Sequence, residues 1–418
     1  VRDGGRAVLP AHAAGRLTAM FNARIRMNGV VFFTAAFPFI IPLVPSTDTQ
    51  PTFTLFALLF MAAALVQSFS REVLLSKRDL MLAGVILASG LGWLCLSIGM
   101  NNFAAGNANR VVSFILFLIA LSTGLLNRHI FTPGRVSAAL KAYWFFTFLF
   151  LATRGALESV IIRSRDDDAM AALTKSGRGA STLSPEPSFF AFQIFTMFLI
   201  ARLTIWDQVS RRGRHFIQLS TIGLLVSTLG GYGMLYAVIV IFLSGRRYIL
   251  SFGIVASAAL ALLASLYSID SLRFVNLFLS ILTSLTSGLE LKDVSVLVRL
   301  LSFQQYLDVF SDNILFGDAF SFYGGGGLVS LLAALGLYGL LLVMTIIAAI
   351  LFSGTGWRMK IALLSWLALQ FISGPIGLPM LGLLIGVILG RARFGAVLSA
   401  FNILLNRRLW RKRVGSFA

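Results

Sequence analysis

An all-α polytopic membrane protein with about 12 transmembrane helices is the fold class this chain predicts, and three observations predict it. Of its 418 residues, 57% are apolar and only 12% are charged, an apolar excess beyond that of soluble domains. The apolar residues come in continuous runs close to the ~20 that a helix needs to cross a bilayer. Those runs do not alternate in segments of about ten, which excludes an outer-membrane barrel. Residues 1–418 therefore read as a single integral membrane domain.

Taken in order, spans are expected at 29–46, 52–69, 80–100, 110–126, 136–152, 188–206, 216–229, 231–244, 249–267, 327–352, 361–376 and 378–390. The numbering opens on Val1 rather than Met and shows no cleavable signal pattern. A net charge of +19 would suggest nucleic acid in a soluble protein, but its distribution points elsewhere. With the N-terminus inside, twelve spans put 26 of the 35 Lys and Arg on the cytoplasmic side with 4 of the 16 acids, a balance of +22 against −3 outside. Basic residues of short loops stay on the cytoplasmic side during insertion. Topology thus explains the basicity, nucleic acid drops out as a partner, and both termini and the Arg211, Arg212, Arg214 loop are expected in the cytoplasm.

Only two external segments are large enough to build a site, 153–187 and 268–326. The first carries Arg154, Glu158, Arg163, Arg165, Asp166, Asp167, Asp168, Lys175 and Arg178, a density of charge that must lie outside the hydrocarbon. It ends at Glu186, set between Pro185 and Pro187 directly before an apolar run. Proline near the first helical position and an acid at the positive end of the dipole are ordinary helix-start chemistry. The neighbouring cations suggest instead a pocket where a carboxylate and several guanidiniums face an anionic ligand. Arginine suits a diphosphate because its planar fork gives two hydrogen bonds to phosphate oxygens.

The second loop contains an expected interfacial helix at 294–311. Val296, Leu297, Leu300, Leu301, Leu307 and Phe310 form an apolar face, while Ser295, Arg299, Ser302 and Tyr306 recur on the other. Arg299 then points away from lipid; the alternative is a solvated arginine among headgroups. Cys95 is alone and reads as a small packing residue inside the third span. His12, His129 and His215 are all cytoplasmic in this plan, and no zinc spacing, Walker loop or dinucleotide fingerprint stands in a suitable context. Gly324 to Gly327 lack a following Lys-Ser/Thr and read as a hinge. No metal and no cofactor are expected, because Asp166, Asp167 and Asp168 are consecutive and converge poorly on an octahedral ion.

The stretch Ser184-Pro-Glu-Pro-Ser-Phe-Phe-Ala191 after a long Arg-rich loop resembles the Glu-Pro-Ser element of bacterial O-antigen and capsule repeat-unit polymerases of the Wzy type. Arg299, then Asn313-Ile-Leu-Phe-Gly317, then Gly336-Leu-Tyr-Gly339, is similar to the second half of the O-antigen polymerase and ligase superfamily. The likeness covers roughly 110–345, and its motifs are short. One departure stands at Ser227-Thr-Leu-Gly-Gly-Tyr232, where the family often carries an arginine.

The resemblance implies a GT-C-like membrane glycosyltransferase of the bacterial inner membrane, its site facing the periplasm or outside. It implies undecaprenyl-diphosphate-linked oligosaccharide as substrate and a chain-length regulator protein as a possible partner beside the lipid bilayer. Glu186 is then the candidate general base or acceptor-orienting group, and Arg299 a catalytic cation. Arg154, Arg163, Arg165, Arg178, Ser188 and Tyr306 are candidates for contact with diphosphate or substrate. An O-antigen ligase shares fold and donor but carries an external histidine missing here. A flippase or secondary transporter would need ionisable groups at mid-membrane or paired broken helices, whereas Arg110, Lys141 and Arg202 lie near span ends.

Overall fold

The computed structural model describes residues 27–38, 59, 61–66, 76–101, 108–153, 187–228, 230–245, 294–321, 327–372 and 378–392. Among the described residues the regular elements are all helical, with an isolated bridge between Ser353 and Ala392. The α-helices used below are α1 (Met27–Ala36), α2 (Lys77–Met100), α3 (Ala108–Leu126), α4 (Pro133–Ala152), α5 (Pro187–Thr204), α6 (Arg211–Ser227), α7 (Gly231–Ser244), α8 (Val294–Asp312), α9 (Val329–Leu335), α10 (Leu337–Leu351), α11 (Trp357–Ile372) and α12 (Pro379–Arg391); residues 61–66 are also helical, and short 3-10 helices stand at Arg128–Ile130 and Trp206–Gln208. Helices stand at the expected spans 80–100, 110–126, 136–152, 188–206, 216–229, 231–244, 361–376 and 378–390. α2 and α5 are long and apolar enough to cross a membrane, and α1, α7, α10, α12 and the greater part of α3 are apolar but shorter. The expected span 249–267 lies outside the described residues.

α5 is the helix the others enclose. Its sequence is apolar from Phe189 to Ala201 but for Gln193 and Thr196, and nearly every side chain is buried. Aromatic rings supply much of that packing: Phe190 lies 5.2 Å from Tyr143, Phe195 stacks on Tyr236 at 4.4 Å and Phe192 stacks on Trp366 at 6.4 Å, offset geometries that add to simple burial. The Gln193 amide donates to the carbonyls of Ala35 and Ala36, and the Tyr143 hydroxyl donates to that of Ala36. These are end carbonyls of α1 that no residue of its own helix can reach. At the other end of α1, Asn127 donates to Asn28 at 2.8 Å in a buried pair.

α3 and α12 meet backbone to backbone. A Cβ at Gly382 would stand 2.7 Å from the Ala120 Cβ and 2.8 Å from the Phe117 carbonyl, and one at Gly386 would stand 2.6 Å from the Leu125 nitrogen. Gly124 faces the Leu383 backbone in the same way. Spacing small residues four apart removes side chains from one stripe, so the helices approach closely and gain dispersion contacts.

Two elements depart from the sequence reading. Arg211, Arg212 and Arg214, expected in a loop, form the first turn of α6, because the Ser210 hydroxyl accepts from Gly213 N at 3.2 Å and starts the helix there. The apolar run 327–352, expected as one span, is broken at Gly336, whose φ of +54° suits glycine and ends α9. A third difference concerns one side chain. Cys95 is exposed on a flank of α2 that also exposes Met81, Val85, Leu91 and Leu96, because α2 lies at the edge of the bundle and buries only its opposite side.

Candidate functional site

Pro187 is the first residue of α5 and is buried. Proline suits that position, since the first helical N–H has no partner within the helix and the ring presets φ. Ser188 follows it, half-buried. Glu186, immediately before, lies outside the described residues, as do Arg154, Arg163, Arg165 and Arg178.

A helix stands where one was expected at 294–311: α8 runs from Val294 to Asp312. Arg299 belongs to it, with its side chain outside the described residues. Tyr306 corrects the sequence reading: it is only 4% exposed and packs with Val329, Leu332 and Ala333 of α9. Phe303, Val309 and Phe310 join it, so the buried side follows positions 303, 306, 309 and 310, while Leu301 and Leu307 are exposed. Phe310 had been grouped with Leu307. α9 is buried along its whole length, and Tyr306, amphipathic by nature, turns its ring toward that apolar surface.

Beneath α8 the chain makes a lock. After Asn313 it turns through Gly317 (φ +71°), Ala319 (φ +53°) and Phe320 (φ +66°). Left-handed backbone is costly for alanine and phenylalanine, by roughly 1–3 kcal/mol each, and persists where surrounding bonds over-determine it. Here the break at Gly336 supplies those bonds. The carbonyls of Ala333 and Ala334 accept from Asp318 N (2.8 Å) and Ala319 N (3.1 Å), and Leu337 N donates back to the Leu315 carbonyl at 3.2 Å. From α2, Ser97 donates to Ala334 O at 3.1 Å and the Trp93 indole to Leu335 O at 2.9 Å. Asn101 donates to Gly317 O at 2.9 Å, and Arg110 from α3 donates to Phe320 O at 2.7 Å. Phe320 N closes on the Asp318 carboxylate at 3.0 Å.

The segments Asn313–Gly317 and Gly336–Gly339, quoted separately from the sequence, are therefore two sides of one hydrogen-bonded unit. Asn101 and Arg110 belong to it too. Sequence reasoning missed them, because the segment 101–109 was set aside as too short to build a site and Arg110 was taken for a span-end charge. A polar pair flanking an apolar run was the one signal available.

α11 links this unit to α5. Leu328 N donates to Gln370 O at 2.8 Å, Phe371 meets Phe303 at 6.2 Å, and the Trp366 indole donates to Thr196 of α5 at 3.1 Å. Gln370 also donates to the Tyr236 hydroxyl at 2.9 Å. Both Gln193 and Gln370 keep a buried side-chain carbonyl without a hydrogen-bond partner, so a polar row with spare acceptors runs down from the end where α5 and α7 begin. Ser188 and Tyr306 thus stand on separate elements that α11 joins. Among the described residues no group of three His, Cys, Asp or Glu side chains gathers as for a metal ion. Comparison with protein-family models, with curated proteins and with solved structures finds no match for the chain.

Proposed function

We propose that this chain is a polysaccharide polymerase of the bacterial inner membrane, multi-pass with both termini cytoplasmic, that joins undecaprenyl-diphosphate-linked repeat units at the external face. The observation that carries the reading is the meeting of Asn313–Gly317 with Gly336–Gly339 beneath the helix that holds Arg299 and Tyr306. Short motifs gain weight when they form one unit, and this unit connects through α11 to α5, the helix that opens directly after Glu186. The membrane setting is supported by apolar side chains exposed on helices around the bundle, such as Met81, Val238 and Leu341, a surface that water disfavours and lipid does not.

In this reaction the bond between the glycan anomeric carbon and the diphosphate oxygen breaks as an acceptor hydroxyl oxygen attacks that carbon. The hydroxyl proton passes to Glu186 or through it to water, and the diphosphate leaves with the bonding pair. Guanidiniums of Arg299 and of the 153–187 loop hold the charge that develops on it. Because arginine supplies the fixed cation, the transfer is expected to proceed without a divalent metal.

The transporter reading gains one point from the broken helix α9–α10, since such breaks line ion sites in carriers. Here the carbonyls at the break already accept from Asp318 N, Ala319 N, Ser97 and Trp93, which favours a structural lock. The test is to incubate purified protein with lipid-linked repeat units alone, with and without excess chelator. A ladder of lengthened lipid-linked products in both is expected. Folded protein that produces no ladder overturns the polymerase reading, and a ladder abolished by chelator and restored by magnesium overturns the metal-free step.

A further inference from the structure

We infer that the end of the bundle opposite the candidate site binds the headgroups of anionic phospholipids through a rim of paired arginines and aromatic rings; this rests on the membrane reading above. At the far end of α5 the Arg202 guanidinium lies 4.2 Å from the centre of the Trp206 ring, and that of Arg214 lies 6.0 Å from it. Arg202 donates to Leu243 O at 3.3 Å, which brings the end of α7 into the same rim. Next to Leu243, Phe242 meets Trp357 edge to face at 5.7 Å, and the Arg358 guanidinium lies 5.8 Å from one ring and 5.6 Å from the other.

Three features identify the occupant. The first is charge: between 202 and 215 the sequence has four arginines and one acid, Asp207. Arg211 and Arg212 are exposed and form no ion pair among the described residues. They also stand in the first turn of a helix, where the dipole disfavours cations, so an outside anion bound there would offset that cost. The second is that the cations are interleaved with apolar surface. Trp357 is 62% exposed and Phe242 39%, which suits a ligand whose anionic part continues into hydrocarbon. Indole rings favour that boundary. The third is place, since the helices that reach this end carry lipid-compatible side chains along their exposed flanks. A phosphodiester headgroup fits all three, whereas free phosphate has no apolar part to meet Trp357, and an acidic peptide, although it could reach the rim from water, does not continue into hydrocarbon beside the exposed rings.

The test uses the full-length chain purified in detergent and exposed to phosphatidylglycerol or phosphatidylcholine of the same acyl chains, with bound lipid read by native mass spectrometry. Retention of phosphatidylglycerol over phosphatidylcholine is expected. Surface cations each contribute about fivefold to such binding, so Arg211→Gln with Arg212→Gln should weaken it by roughly thirtyfold. The double lysine variant should keep most of it. Equal retention of the two lipids by wild-type protein overturns the inference whatever the variants do, and so does displacement by equimolar inorganic phosphate, which would mark a free-anion site. Alkaline carbonate extraction of native membranes separates the two levels. Release of the chain overturns the membrane reading together with this one, while retention with no lipid preference overturns this one alone.

Discussion

Glu186 carries two readings that differ in kind, and a single substitution separates them. Gln keeps the size and some hydrogen bonding but cannot take a proton. Loss of a general base slows transfer by roughly two to four orders of magnitude, whereas loss of a helix-start charge costs only about 0.3–1 kcal/mol of stability. Glu186→Gln at normal protein levels is therefore expected to abolish long polymer, and full-length polymer from that variant would make the carboxylate structural. For Arg299, Ala is expected to abolish polymer and Lys to restore it in part, because an ammonium keeps charge but loses the two-pronged geometry; polymer length on gels reads both. Gly336→Ala tests the lock. At φ +54° a Cβ would stand 2.5 Å from the Ile314 carbonyl, so a loss of about 1–3 kcal/mol or more is expected in thermal unfolding, and an unchanged midpoint would mean the turn is not over-determined. Individual residues were the least legible scale. Tyr306 was placed on the polar side because its hydroxyl suggests water, yet its ring lies in an apolar cluster with α9. Periodicity gives the sides of a helix but not which side meets protein when lipid and core are equally apolar.

Helix positions were more legible than helix continuity. α5, α7 and α8 begin and end within two residues of the expected 188–206, 231–244 and 294–311, because proline, glycine and charge mark their ends. The break at Gly336 left no such mark: a lone glycine in an apolar run changes hydropathy little, and its φ is a tertiary fact. The start of α6 was misjudged for the converse reason, since three arginines outweighed Ser210, a good cap. Between α3 and α12 the glycines were visible as letters, but their pairing across the chain was not. Gly386→Leu is predicted to force these helices apart, since even a Cβ there meets the Leu121 and Leu125 backbone. Overpacking of this kind costs about 1–3 kcal/mol or more. Gly134→Leu, a site with nothing within 4 Å of an added Cβ, should leave the melting temperature near that of wild type, and equal melting of both variants would contradict the close approach.

Over the whole molecule, apolar composition together with unbroken apolar runs carried the all-helical class, because a chain of that composition leaves helices or closed barrels as the choices and continuous runs exclude the barrel. The charge balance predicts which side each loop faces, so cysteines introduced at Ser176 and Ser210 should differ in a Cys95→Ser background: an impermeant reagent on intact cells is expected to label only the former, and labelling of Ser210 alone would overturn the predicted topology. The candidate site was legible only as scattered motifs, since the bonds that unite them run between helices that no local pattern connects. The glycine-lined contact of α3 with α12 has a further consequence in time. Roughly 250 residues separate Gly124 from Gly382, which at ribosomal rates of about 5–20 residues per second is a delay of some tens of seconds. Until α12 is made, the glycine stripe on α3 lacks the helix that packs on it in the folded chain. A chain cut before Pro379 is therefore expected to be inserted but left unfinished, and pulse-chase should show it degraded faster than the full-length protein.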